Sequence, residues 1–239
     1  MSYRSRYEAW LEDAELEEEL RQELLAIAGD EEAIRERFGQ NLVFGTGGMR
    51  GLMGAGTNRM NRHTIDMATA GLACYLLDKH QRTAQEKGVV IAYDSRHHSR
   101  DFAVEAALVL AAYGIRVYIF ERLTPTPVLS FAVPYLGCVG GIVVTASHNT
   151  REYNGYKVYD QYGCQLVPDD AQRLLSFVER FEELENIPII MNREIVENDG
   201  LLKWLDGAVQ NAFLEAIAEM CIRDRPSALS LEVTLLSIM

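Results

Sequence analysis

The sequence predicts an α/β fold: a mixed, mainly parallel sheet with helices on both faces, preceded by an N-terminal helical extension. Three observations carry this. Short apolar runs at Val89–Tyr93, Ile115–Phe120 and Ile142–Thr145 alternate with helical patterns. A strand–helix–strand–helix–strand rhythm implies parallel pairing with a helix layer on each side. The runs are apolar throughout, as strands covered on both faces are. Upstream, Leu16, Leu20, Leu24 and Ala28 stand four apart in a charged segment, which makes one narrow apolar stripe on a helix.

Taken in order, the stripe helix ends at Gly29. A second short helix spans about Glu31 to Phe38. "FGTGGMRGLMGAGTNRMN" is too dense in glycine for a helix or strand and reads as a loop. Thr64 caps a helix that buries Ala68, Leu72, Tyr75 and Leu76. Ser99 caps another, through Tyr113, which buries Phe102, Ala106, Val109 and Leu110 before Gly114 stops it. "LTPTP" breaks the chain after Phe120, and a short helix leads to the third strand. Tyr156–Tyr159 and Gln165–Val167 flank "DQYG", a hairpin turn. Asp169 and Asp170 open a helix through about Glu185. No internal repeat or low-complexity segment is present.

Composition narrows the function. The chain has 239 residues, 48% of them hydrophobic, enough for one large domain or one and a half. A net charge of −12 argues against general nucleic-acid binding. It leaves room for a small phosphorylated ligand held by a local cluster of donors. The acidic run Glu12, Asp13, Glu15, Glu17, Glu18, Glu19 and Glu23 reads as a solvated helix face. Cys74, Cys138, Cys164 and Cys221 are scattered without a CxxC pair, so reduced thiols are expected rather than a zinc site. The N-terminus shows no apolar signal segment, and no run nears the roughly 20 apolar residues of a membrane span. These features predict a soluble, cytoplasmic protein with no membrane contact.

In an open α/β sheet, ligands sit beyond the carboxyl ends of the strands. Three segments emerge there: "AYDSRHHSR" after the first strand, "RLTPTP" after Phe120 and "TASHNTREYNGYK" after Val144. Ser147 in the last is a poor nucleophile until a base takes its proton. The hydrolase signature GxSxG is absent. A serine that exchanges a phosphoryl group needs donors for its oxygens, cations or a metal, and a proton shuttle. Asn149, the loop amides, Lys157, Arg50 and Arg96 could supply these; a plain Ser/Asn turn with His148 packed nearby is the alternative. In Gly47-Gly48-Met49-Arg50-Gly51 the glycines let backbone N–H groups approach an anion, and an arginine can grip phosphate with two donors. A purely conformational role for this turn stands beside that reading, since neither a Walker loop nor a dinucleotide pattern is present. His97 and His98 lack further ligands at metal spacing and read as exposed neighbours.

Together these segments resemble the α-D-phosphohexomutase superfamily, the phosphoglucomutases and phosphomannomutases. "FGTGGMRG" is similar to the family's FGTxGxRG loop, "TASHN" to its phosphoserine loop and "YNGYK" to the lysine segment after it. "AYDSR" and "RLTPTP" fall between them in the family's order. "YEAWL" and "GAGTNRMN" resemble the long phosphoglucomutase/phosphopentomutase branch. The resemblance covers about residues 3 to 220. It implies that Ser147 carries the phosphoryl group, with its phosphate a ligand of Mg²⁺, and that Lys157 shuttles a proton. It implies that His148 and Asn149 shape the loop, and that Arg50, Thr46, Gly47, Gly48, Arg96 and Asn149 bind phosphate or substrate.

The reaction implied interconverts hexose 1- and 6-phosphates, or pentose 1- and 5-phosphates. It runs through a sugar bisphosphate, with glucose 1,6-bisphosphate as activator. The resemblance divides the chain into an extension (1–42), the family's domain I (43–205) and a stub of domain II (206–220); residues 221–239, with few charges, no clear period and an apolar end, read as a non-native or frame-shifted tail. Two departures stand out. Thr150 replaces the family's proline after TASHN, which loosens the loop. The metal motif DxDxDR and the partner domains II–IV are missing, so a fragment without turnover is expected. The readings held against this one are a non-catalytic phosphosugar-binding or interaction module and, more weakly, a serine hydrolase.

Overall fold

The computed structural model describes residues 2–45, 47–181, 187–188 and 193–223. The extension contains three helices, α1 (Tyr3–Glu12), α2 (Glu18–Ala26) and α3 (Glu31–Phe38). Ser2 caps α1 and Asp30 caps α3, each accepting a backbone N–H three residues on. The expected leucine stripe does not lie on one helix. Leu16 sits in the turn before α2 and Ala28 in the turn after it, because Arg21 of α2 reaches back to the end carbonyls of Leu11 and Asp13 and folds α1 onto α2. Tyr7, Trp10, Leu24, Ile34 and Phe38 close a separate small core. Trp10 meets Phe38 edge-on, with ring centroids 5.5 Å apart, and touches His63 of the main domain.

Among the described residues the main domain is built on a seven-stranded sheet. In chain order its strands are β1 (Phe44–Gly45), β2 (Gly48–Leu52), β3 (Val89–Tyr93), β4 (Val117–Phe120), β5 (Gly140–Val144), β6 (Tyr153–Asp160) and β7 (Leu202–Leu205). The spatial order is β1-β2-β6-β5-β3-β4-β7. Strands β5, β3, β4 and β7 are parallel neighbours, while β1, β2, β6 and β5 pair antiparallel. The fold class is therefore the predicted mixed sheet.

Two of its antiparallel strands, β1 and β2, come from a segment expected to be a loop. The glycines of "GTGGMRG" permit strand β2 instead of preventing it. Gly48 has φ +128°, and a Cβ there would stand 1.9 Å from the Tyr156 carbonyl oxygen. Only glycine lets β2 come this close to β6.

Helices cover both faces. On one face lie α4 (Arg62–His80), α6 (Ser99–Ala112) and α8 (Pro168–Val178), packed over Val89, Ile91, Tyr93, Val117 and Ile142. A short helix, α5 (Arg82–Lys87), links α4 to β3. On the other face α7 (Thr126–Leu136) packs over Val90, Ala92, Phe120 and Val143. The alternation of Val89, Ile91 and Tyr93 with Val90 and Ala92 between two cores is the two-residue period of a strand. Helix α8 ends sooner than expected, at Val178, and a 3₁₀ turn runs on to Phe181; residues 182–186 lie outside the described residues. A short helix, α9 (Arg193–Asn198), precedes β7. The segment expected as a stub forms α10 (Ala208–Arg223), which buries Val209 in the second core and sets Phe213 against Phe131. Residues 224–239 of the expected foreign tail lie outside the described residues.

Two capping expectations change. Thr64 is not the cap of α4 but its reciprocal partner. Asn61 accepts the Thr64 N–H at 3.0 Å and Thr64 Oγ1 accepts the Asn61 N–H at 3.1 Å, a capping box. Helix α6 is preceded by His98 in a left-handed conformation (φ +59°), and Ser99 turns its hydroxyl to Asp94 instead of to its own helix.

A buried polar cluster joins the extension to the domain. Glu17 pairs with Arg62 Nε at 2.7 Å and lies 3.6 Å from His63 Nε2. Next to them Asp66 of α4 is 3% exposed and lies within the electrostatic reach of Glu105 of α6. Burial above all, then the Glu105 and Glu17 charges, push the Asp66 carboxyl from 3.8 up to about 8 despite Arg62. Glu17 is held down at about 2: burial opposes this, but the His63 hydrogen bond and the Arg62 charge outweigh it.

Two tests follow from the packing. A carboxyl raised in the folded state stabilises the fold fully below its unfolded value, and that contribution is lost as pH rises through the folded value. The urea midpoint should therefore fall as pH rises from about 4 to about 8, a window above the Glu17 titration. Asp66→Asn should flatten this slope, and an unchanged slope in the variant would assign the dependence to other groups. In the sheet, Gly48→Ala should lower stability by more than about 2 kcal/mol, since the left-handed strain alone costs ~1–3 kcal/mol. Gly45→Ala is the control, because its added Cβ meets only the Gly48 carbonyl oxygen at 3.6 Å. It should shift stability by no more than about 1 kcal/mol.

Candidate active site

The β5–β6 connection carries Ser147 past the C-terminal edge of the parallel strands. Its base is fixed by Thr145, whose N–H bonds the Gly155 carbonyl and whose hydroxyl accepts the Ser147 N–H at 3.0 Å. Ser147 itself has φ +59°. A non-glycine residue held left-handed costs about 1–3 kcal/mol and persists only where its surroundings fix it. The side chain is exposed, and its Oγ lies 3.3 Å from His148 Nδ1. Among the described residues no carboxylate pairs with His148, so the base–orienter arrangement of a serine hydrolase is not assembled here.

Strand register brings the cations to this loop. Arg50 stands opposite Gly155, and Gly48 opposite Lys157. Residues two apart on a strand share a face, so Arg50 and Lys157 project from the same side of the sheet on neighbouring strands. Arg50 Nη1 donates to Asn149 Oδ1 at 2.7 Å, which ties the glycine segment to the serine loop. Among the described residues neither Arg50 nor Lys157 is in an ion pair with a carboxylate. Burial first, and then the Arg50 guanidinium, hold the Lys157 ammonium below its ordinary value, against the pull of Asp94.

Arg96 reaches the serine loop from the end of β3. It was expected at a phosphate, but its donors face the protein. Nη1 donates to the carbonyls of Thr150 (2.7 Å) and Tyr153 (3.1 Å), and Nη2 to those of Ser147 (2.9 Å) and Asn149 (2.6 Å). Nε lies 3.4 Å from Asp94 Oδ2, and the side chain is only 14% exposed. Each charge-assisted bond contributes roughly 1.5–3 kcal/mol, so four together outweigh the strain at Ser147. Asp94 is in turn held by the Arg96 N–H and by Ser99 Oγ at 2.8 Å. Asn154, fully buried, donates to the His97 carbonyl and to Ser99 Oγ and accepts the Gly155 N–H.

Asp94, Ser99 and Asn154 were not identified as site residues. The signal for Asp94 was available: aspartate two residues before the amide it accepts, at a strand end, is an Asx turn. Asn154 carried no such signal, because the groups it donates to are 55 or more residues away in sequence.

The other candidates divide. Gly47 and Gly48 lie at the start of β2, where Gly47 accepts the Val158 N–H and Gly48 makes the close strand approach. Thr46 lies outside the described residues. His97 and His98 are exposed, with His98 Nδ1 3.4 Å from Asp101. Among the described residues no group of three His, Cys, Asp or Glu side chains could hold a metal ion. No helix there is long and apolar enough to cross a membrane. Beside the serine loop, a cleft of about 470 Å³ opens between the connections after β3 and β4, lined by Asp94, Ser95, Arg100 and Arg122 among others. Helices α6 and α7 leave these two strands on opposite faces, the usual place for a crevice in an open sheet.

This is an α/β domain with an exposed serine on the loop after a parallel strand and, on the adjoining strands, two cations without a carboxylate ion-pair partner among the described residues. The family pattern described as phosphoglucomutase/phosphomannomutase, alpha/beta/alpha domain I, matches residues 41–185, and the chain belongs to that family. It is 37% identical over 203 residues to a phosphopentomutase of Pongo abelii, covering 82% of this chain and 33% of the relative. To a phosphoglucomutase of Staphylococcus haemolyticus it is 38% identical over 191 residues, covering 80% and 34%. Among solved structures, a candidate phosphomannomutase from Thermus thermophilus superposes with a TM-score of 0.61 at 27% identity, covering 76% of this chain and 36% of that one. The chain thus spans about a third of the length of the relatives it matches.

The charge pair can be tested directly. Replacing Arg50 by Gln removes one of the two influences that lower Lys157, so the Lys157 ammonium should titrate at higher pH in Arg50→Gln. Side-chain NMR of ¹³C-labelled lysine reads this. A titration unchanged or lowered in the variant would separate the two groups electrostatically.

Proposed function

We propose that this chain is the phosphoryl-carrying domain of a phosphosugar mutase and that Ser147 is the carrier. The observation that carries the reading is the exposed, left-handed Ser147 on a loop that Arg50 joins through Asn149, with Lys157 beside Arg50 on the neighbouring strand. In the proposed cycle, phosphoserine 147 gives its phosphoryl group to the free hydroxyl of a hexose or pentose 1-phosphate. The bond from phosphorus to Ser147 Oγ breaks, one to the sugar oxygen forms, and the hydroxyl proton leaves to a base. The bisphosphate turns round and returns its other phosphoryl group to Ser147.

Arg50 neutralises phosphoryl oxygens through both chemical steps. Lys157, with its proton already loosened by burial and by Arg50, is suited to exchange a proton with the sugar hydroxyl. His148, adjacent to Oγ, and Asn149, held by Arg50, fix the loop around the phosphoryl group.

Mg²⁺ belongs to the proposal only in part. Phosphoserine 147 would offer one oxygen, whereas the ion demands near-octahedral coordination. The described residues supply no cluster to complete it, so no step here is assigned to metal. The remaining ligands, and the site for the sugar's far phosphate, are proposed to come from partner domains II–IV of a full-length chain in the cytoplasm. Residues 1–239 alone are then expected to show no mutase turnover.

The test is a full-length mutase carrying this domain, incubated with glucose 1,6-bisphosphate and Mg²⁺. Peptide mass spectrometry should find one phosphate on Ser147, and Ser147→Ala should lose both the phosphate and turnover in a coupled glucose 6-phosphate assay. Turnover retained by Ser147→Ala would end the assignment. A Ser147 that binds phosphosugar but never takes up phosphate would favour the non-catalytic module.

A further inference from the structure

We propose that Arg96 is a positioning residue for phosphoryl transfer: by holding the carbonyls of Ser147, Asn149, Thr150 and Tyr153 together, it sets the left-handed conformation that points the Ser147 hydroxyl at its reacting partner. The inference rests on Ser147 being the phosphoryl carrier.

The geometry favours this role for Arg96 over a direct grip on substrate. Its four Nη–H donors are all engaged with loop carbonyls, and Nε faces Asp94. A phosphoryl oxygen could reach it only by displacing a carbonyl from a side chain that is 14% exposed. The four carbonyls also span the turn from Ser147 to Tyr153, so one planar group fixes both ends of it. A planar guanidinium suits such a cluster, since its donors diverge in a fixed fork.

The anchor behind Arg96 is itself immobilised. Asp94 is at the end of central strand β3, and its Oδ1 accepts from the Arg96 N–H and from Ser99 Oγ at the head of α6. Asn154 makes a second fastening, from the start of β6 to Ser99 and His97. The serine loop is thus referenced to the β3–α6 junction at two points. The loop's own sequence provides little stiffness, because Thr150 stands where a proline would fix φ.

The experiment has two readouts on Arg96→Ala and Arg96→Lys, with Arg116→Ala, an exposed arginine at the start of β4, as control. The first is hydrogen exchange on the chain itself, without substrate. Arg96→Ala should speed exchange at the Asn149 and Tyr153 amides, whose bonds close the loop, and leave β3 and β5 unchanged. The second is kinetics in a full-length mutase carrying the domain. A hydroxyl displaced by about 1 Å costs on the order of 100-fold in rate, so kcat should fall by about that factor with KM little changed. Added guanidinium should restore part of the loss. Arg96→Lys, which keeps the charge but has three donors and no fork, should fall between Ala and wild type.

Unchanged loop exchange in Arg96→Ala, or a loss of kcat/KM carried by KM, overturns the proposal. Should Arg96→Ala fail to fold, wild-type exchange and wild-type kcat in Arg96→Lys overturn it equally. The two readings fail apart from one another. Phosphate uptake on Ser147 that is equal in wild type and Arg96→Ala sinks the clasp alone. A loosened loop in Arg96→Ala, with wild-type Ser147 never phosphorylated, sinks the carrier role and the catalytic part of the clasp with it.

Discussion

Strand β2 lies against β6 because Gly48 has no side chain to meet the Tyr156 carbonyl oxygen. That approach sets the register in which Arg50 stands opposite Gly155 and Gly48 opposite Lys157. A slip of one residue would send Arg50 to the other face of the sheet. Strand β6 is shared between β2 and β5, so the same register that fixes the cations also fixes the root of the serine loop. The glycine segment therefore acts through backbone packing first. Its bearing on an anion comes through where it puts Arg50.

The site is a local reversal of the protein's overall charge. The chain carries a net charge of −12, yet Arg50, bonded to Asn149 of the serine loop, and Lys157 on the neighbouring strand have no carboxylate ion-pair partner among the described residues. Two like charges side by side repel, which is one reason the Lys157 ammonium is held below its ordinary value. An arriving dianion would relieve that repulsion. A site prearranged in this way has little reorganising to do when negative charge arrives. The carboxylate that pulls on Lys157, Asp94, has its oxygens engaged by Arg96 and Ser99.

Much of this was legible in the sequence. Strands β3, β4 and β5 announced themselves as continuous apolar runs, since both faces of each are covered. The TASHN and YNGYK segments marked Ser147 and Lys157 through motif order. What failed to show were properties set by distant partners. Strand β2 looked like a loop because glycine is a poor strand former by itself, and its reason for being there is a carbonyl more than 100 residues away. Leu16 and Ala28 looked like one stripe because Arg21, which folds α1 onto α2, carries no periodic signal. Helix α6 looked capped by Ser99, whose hydroxyl is instead recruited by Asp94.

Arg50 and Arg96 show why residue type and neighbourhood do not assign a role. Both are arginines in loops or strand ends near the same serine, and both suit an anion. Donor accounting separates them. Arg50 is exposed and, among the described residues, its side chain has one bond, to Asn149. Arg96 is enclosed, with four bonds to carbonyls and an ion pair to Asp94. A guanidinium with open donors can recognise a ligand, while one whose donors are filled by backbone can only hold that backbone in place. The loop needs the second kind because it is built against its own preferences: Ser147 is left-handed without being glycine, and Thr150 does not restrict φ. The stiffness absent from the loop's sequence is supplied by a side chain that reaches it from the end of β3.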